Sequence, residues 1–246
     1  MAITEIFRNP TVKQVIFQIQ YPNLFYIEKM IGDFQVKIME QFPESALILR
    51  KGLHISFGSA GQISPDVEDE GGAKIWQFTS ANNVKLSLQT NSLDIVSEHH
   101  KTYTLGDGEK FRDVIKFSLD CFFELVPVPI INRIGLRYID HCPIIKKNNR
   151  TFLEYYNTSF PLDRFSLEDA DNIDFRARVK RGEYFLTYRE TLKKIDEEFI
   201  LVLDFDGFAL KVKPADYLSI TDELHTLISN EFNATAKEPL KEYMRK

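Results

Sequence analysis

The run Ile130-Ile131-Asn132-Arg133-Ile134-Gly135-Leu136-Arg137-Tyr138-Ile139-Asp140-His141 follows Pro127 and Pro129 and ends just before Pro143. It reads as a strongly apolar β-strand. Strand alternation sends Arg133, Gly135, Arg137 and Ile139 to one side and Ile134, Leu136 and Tyr138 to the other. Branched apolar residues on both sides mark a central strand, buried on at least part of each face.

Upstream of this strand, Phe111, Ile115, Leu119, Phe122 and Val126 recur at helical spacing. They predict a helix over residues 107–126, with Asp107 as N-cap and the prolines as its stop. Further back, Val15, Phe17, Ile19 and Tyr21 share one face of a strand, and Gln18 and Gln20 share the wet one. Ile27, Ile31, Phe34, Ile38 and Phe42 then mark a helix that Pro43 ends. Strands are expected at 46–57, 74–80 and 84–96, with an acidic loop at 58–72.

Downstream, the polar run Lys146-Lys147-Asn148-Asn149-Arg150 marks a boundary between an N-terminal half, 1–145, and a C-terminal half, 150–246, which together can also form one compact domain. Strands at 174–180, 183–190 and 199–205 follow, the last turning at Asp206-Gly207. A long helix at 215–232 precedes a short one at 237–245, for which Thr235 and Glu238 are spaced as a capping box. Residues 74–126 and 183–232 share the order of strands then long helix, so two similar halves, an internal duplication, is one reading. The fold class is α+β, with antiparallel sheet and long helices packed on one face.

Composition narrows the function classes. The 246 residues carry 31 Lys+Arg and 36 Asp+Glu, a formal charge of −5, which does not suit a protein that coats nucleic acid or anionic membrane. Two cysteines, Cys121 and Cys142, exclude a disulfide framework and a four-cysteine zinc site. The expectation is a cytoplasmic chain without membrane association, because no apolar run is long enough to span and MAITEIFRNP is not a cationic-then-apolar leader.

Around Arg133-Ile134-Gly135-Leu136-Arg137-Tyr138 the chain resembles a sporadically distributed bacterial family of uncharacterised proteins of about this length. That family carries an Arg-Ile/Val-Gly-Leu-Arg-Tyr-Ile-Asn run. Asn9-Pro10, Trp76-Gln77-Phe78, Tyr103 with Phe111, and Leu224-His225 with Phe232 extend the likeness over the chain. Asp140 departs from the family's usual Asn. The resemblance implies an α+β domain, a bacterial cytoplasmic setting and an accessory part in mobile loci; it brings no catalytic activity.

Several groups are candidates for chemistry. Arg133 and Arg137 lie about 13 Å apart on one strand face, with Gly135 leaving a gap between them. That arrangement suits an anion or carboxylate, or else each Arg pairs with an acid such as Asp204. Arg176 and Arg178, on a basic strand with Lys180, are further anion- or partner-binding candidates, or charges that guard a sheet edge. Asp204 and Asp206 share a strand face and, with Asp140 nearby, would make a three-acid metal site; as turn and ion-pair residues they need no metal. No dinucleotide, phosphate-loop, zinc-protease or serine-hydrolase signature is present. The expectation is therefore a binding or protein-interaction component without a cofactor, acting on an unknown protein partner or by self-association. Behind it stand a metal-dependent phosphoryl-transfer or nuclease-like enzyme and a nucleotide or nucleic-acid binder.

Overall fold

The structure, a computed structural model, describes residues 5–50, 56–57, 63–64, 73–195 and 197–246. It is a mixed α+β fold built on one antiparallel sheet of nine strands. The chain runs β1 (Val12–Gln20), α1 (Ile27–Ile38), β2 (Glu44–Arg50), β3 (Ser56–Phe57), β4 (Ile63–Ser64), β5 (Ala73–Thr79), β6 (Lys85–Leu88), β7 (Ser92–Ser97) and α2 (Phe111–Leu125). It continues through β8 (Ile131–Pro143), α3 (Asn149–Tyr155), β9 (Ile173–Arg181), β10 (Tyr184–Ile195), β11 (Glu198–Val212), α4 (Tyr217–Thr235) and α5 (Glu238–Arg245). The strand order is β2-β5-β6-β7-β1-β8-β11-β10-β9, and β3 and β4 pair separately.

That order has a regularity. From β1 the chain passes through α1 to the far edge, returns through β5, β6 and β7 to the side of β1, and enters α2. From β8 it passes through α3 to the other edge, returns through β9, β10 and β11 to the side of β8, and enters α4. The two central strands pair antiparallel, with Phe17 opposite Leu136 and Gln18 opposite Gly135.

One sheet face is apolar because alternation places Val15, Phe17, Ile19, Ile134, Leu136, Leu203 and Phe205 on it, all fully buried. Helices close that face. Phe34 of α1 meets Phe78 edge-on at 5.7 Å, and Phe122 of α2 lies 5.4 Å from Tyr21. From α4, Ile228 and Leu224 press into the space that Gly207 leaves on β11. The wet face of β1 carries Gln18 and Gln20 as the alternation predicts.

Several boundaries depart from the sequence reading. Residues 84–96 form two strands, since Gln89 N–H donates to the Ser92 carbonyl at 2.8 Å and folds β6 back onto β7. The second helix begins at Phe111 rather than Asp107, because Gly106 and Gly108 hold positive φ and Lys110, not Asp107, occupies the N-cap. Asp206-Gly207 is no turn: β11 runs through it to Val212. The run at 146–150 contains a helix start, with the Asn148 side chain accepting from Thr151 N–H at 2.8 Å. Thr235 ends α4, and α5 is entered from Lys237 with no side-chain cap. Of the strand expected at 46–57, residues 51–55 lie outside the described residues, as does most of the acidic loop.

Candidate functional site

The sheet face away from the helices gathers most of the candidate residues. On β8, β11, β10 and β9 the register lines up Arg137, Asp206 and Thr187, and beside them Gly135, Phe208 and Phe185. Arg137 donates Nε to Asp204 Oδ1 at 2.6 Å and Nη2 to Oδ2 at 2.5 Å, a bidentate fork. Arg189 Nη1 donates to the same Oδ2 at 3.0 Å. Asp204 is thereby held between two guanidiniums, with its side chain 7% exposed against 34% for Arg137. The hydrogen bond to Asp204 pushes Arg137 above the usual guanidinium range.

Arg133 forms the second cluster. Its Nη2 reaches both Asp206 oxygens at 2.7 and 2.8 Å, and Nη1 donates to Gln18 Oε1 at 3.2 Å. To make these bonds the side chain folds back over Gly135, so that a Cβ placed there would stand 2.5 Å from Nη1. The group filling the gap at Gly135 is thus the guanidinium of Arg133 itself. Phe208 lies beneath: the Arg133 and Arg178 guanidinium carbons sit 4.7 and 4.5 Å from its ring centre. Phe185 stacks on Phe208 at 5.2 Å, and Arg178 caps both rings.

Both candidate arginines of β8 are therefore carboxylate-paired, and the pairing brings in residues that the sequence reading did not single out: Arg189, Gln18, Phe185 and Phe208. Alternation alone places Arg189 with Thr187 and Thr191. Its position opposite Asp204 depends on the β10–β11 register, which a single strand does not carry. Arg176 and Arg178 are exposed on β9, an edge strand, and among the described residues no carboxylate pairs with either.

The three-acid arrangement does not assemble. Asp140 lies opposite Leu203, so its side chain shares the helix-covered face while Asp204 and Asp206 occupy the other. Asp140 is 3% exposed and accepts a 2.7 Å bond from Thr11 Oγ1. Among the described residues no cluster of three His, Cys, Asp or Glu side chains has the placement to hold a metal ion. Cys142 is buried, and burial lifts its thiol well above the ordinary range. Among the described residues no helix is long and apolar enough to cross a membrane.

No protein-family model matches the chain. No curated protein matches it either. Among solved structures, the chain aligns with the structure of S. pombe Pct1 RNA triphosphatase at 7% identity, over 98% of this chain and 82% of that one, with a TM-score of 0.13. A score that low carries no likeness of fold.

Proposed function

We propose that the chain is a binding component whose open sheet face docks an acidic segment of a partner protein. The observation that carries this reading is a charge imbalance. Over the four strands β8 to β11 the register puts Arg133, Arg137, Arg176, Arg178, Lys180, Arg189 and Lys193 on one face with Asp174, Asp204, Asp206 and Glu198, seven cations to four acids in a protein of net charge −5. The internal ion pairs hold Arg133, Arg137 and Arg189 rigid, and Arg176 and Arg178 extend beyond them as donors without a carboxylate. Such a surface steers an acidic partner toward one face of the molecule. The motif resemblance suits a bacterial cytoplasmic setting of this kind. We also infer that the matching paths from β1 to α2 and from β8 to α4 descend from an internal duplication.

The test is fluorescence anisotropy with a labelled oligoglutamate peptide at low and high salt. Saturable, salt-sensitive binding is expected, weakened at least about fivefold by the double change Arg176→Glu and Arg178→Glu. No binding at low salt, or unchanged binding by the double variant, overturns the reading. A single-stranded oligonucleotide that binds more tightly than the peptide, and loses affinity in the same variant, replaces the acidic partner with nucleic acid.

A further inference from the structure

The sheet ends on β9, a strand of nine residues with no strand on its outer side among the described residues. Edge strands are often protected by a bulge or a proline that keeps other chains from pairing with them. β9 has neither. Its residues include no proline or glycine, and its register against β10 runs from Ile173 opposite Leu192 to Arg181 opposite Tyr184 without a shift. Its guard is charge, and charge admits a partner of the opposite sign.

The register also decides which main-chain groups face outward. Gly182 and Glu183 form a two-residue turn, so Arg181 and Tyr184 exchange both of their hydrogen bonds, and every second residue back along β9 does the same with β10. Asp174, Arg176, Arg178 and Lys180 fall between. Their N–H and C=O groups point away from β10, and no main-chain bond from elsewhere in the described residues meets them. Their side chains stand on the open face with Asp204 and Asp206. Ile173, Phe175 and Val179 stand on the other face, partly buried against the core. The edge therefore presents an unused ladder with cations on one side and apolar side chains on the other.

The geometry points to the addition of an extended partner segment to β9 as a further antiparallel strand, with acidic and apolar residues alternating along it. Strand addition takes affinity from main-chain bonds and specificity from alternate side chains. Carboxylates on every second residue come opposite Arg176, Arg178 and Lys180, and the apolar residues between them extend the row of Ile173, Phe175 and Val179. A second copy of the chain fits less well, because pairing along the whole of β9 would set Arg176 against Arg178 twice. Strand addition rests on the acidic-partner reading and specifies how the acidic segment is held.

The probe is a fluorescent peptide in which glutamate and valine alternate, long enough to span β9, followed by anisotropy on the intact protein. It should bind at least about fivefold more tightly than a peptide of the same composition with its glutamates in one block. In the antiparallel pair the residues opposite Arg176 and Arg178 are those that bond to β9. Methylating two glutamate main-chain nitrogens should therefore weaken binding at least about tenfold, and methylating two valine nitrogens, which face solvent, should change it less than about twofold. Arg176→Pro removes an N–H that β10 does not use, and should weaken binding at least about threefold beyond Arg176→Ala. The peptide comparisons use the unaltered protein and stand whether or not the proline variant folds. Strand addition is overturned if the two methylated peptides bind alike or if the block peptide binds as tightly as the alternating one. With oligoglutamate still bound, either result leaves the acidic-partner reading in place; if neither oligoglutamate nor the alternating peptide binds, both fall together.

Discussion

Asp140 shows how one residue sets a pH dependence. Its carboxyl is buried among Tyr138, Cys142 and Thr11, with only the Thr11 hydroxyl bonded to it and Lys101 as the nearby cation. Burial raises it from 3.8 to about 7, so between those values the folded chain binds a proton that the unfolded chain has released. Stability therefore falls as pH rises through that window, by about 4 kcal/mol at most. His225 acts in the opposite sense. It is lowered from 6.5 to about 4, and folding loses stability as pH falls between those values. His100 and His141, also lowered by burial, act with His225, and together they oppose Asp140 up to about neutrality. Urea unfolding between about pH 6 and pH 7.5 should show Asp140→Asn gaining about 1 kcal/mol of stability relative to the unaltered protein. Parallel profiles would show that Asp140 is not the group responsible. At this scale the sequence was half legible. Alternation placed Arg133 with Arg137, and strand character put Asp204 foremost among the acids for them; Asp204 takes Arg137, whereas Arg133 takes Asp206. Alternation did not place Asp140 across the sheet from Asp204, because that depends on which residue of β11 stands opposite which of β8.

Gly207 shows the same limit for whole elements. Asp-Gly is a turn signal because glycine accepts positive φ at no cost. Here Gly207 lies within the ladder, opposite Leu136 and Leu186, and its missing side chain admits α4. An added Cβ would stand 3.3 Å from Ile228, so a side chain there would push the Ile228 side chain back by a few tenths of an ångström. Gly207→Val should push α4 outward and cost about 1–3 kcal/mol. Denaturant unfolding that gives an unchanged midpoint would mean that α4 yields freely. Gly135, two places from Arg133, differs in kind. The group over it is the end of a flexible arginine rather than a packed helix. The periodic elements were legible from pattern alone: β1, α1, α2, β8 and α4 all lie where the spacing predicts. The caps and turns were not, since Asp107, Thr235 and Asp206 each carry a local signal that tertiary packing overrides.

For the whole molecule, the decisive feature is that β1 and β8 pair along most of their length, so the sheet passes without a break from the β2 edge to the β9 edge. Strands of 1–145 and 150–246 thereby share one hydrogen-bonded ladder, with β8 bonded to β1 on one side and β11 on the other. The helices bind the two sides as well: Tyr217 of α4 donates to Asp120 of α2 at 2.8 Å, and Arg112 of α2 forks onto Asp222 of α4 at 2.8 Å through both nitrogens. Unzipping β1 from β8 would expose two apolar central strands at once, which neither side covers alone. Unfolding should therefore be a single transition. Trp76, the one tryptophan, stands on β5 near the β2 edge and reports that end of the sheet alone. Its fluorescence and the far-ultraviolet circular dichroism of all the strands and helices should give the same urea midpoint and slope. Trp76 changing at a lower urea concentration than the circular dichroism would mean that the β2–β7 side melts by itself, and that the β1–β8 ladder is a seam between independent units rather than the centre of one.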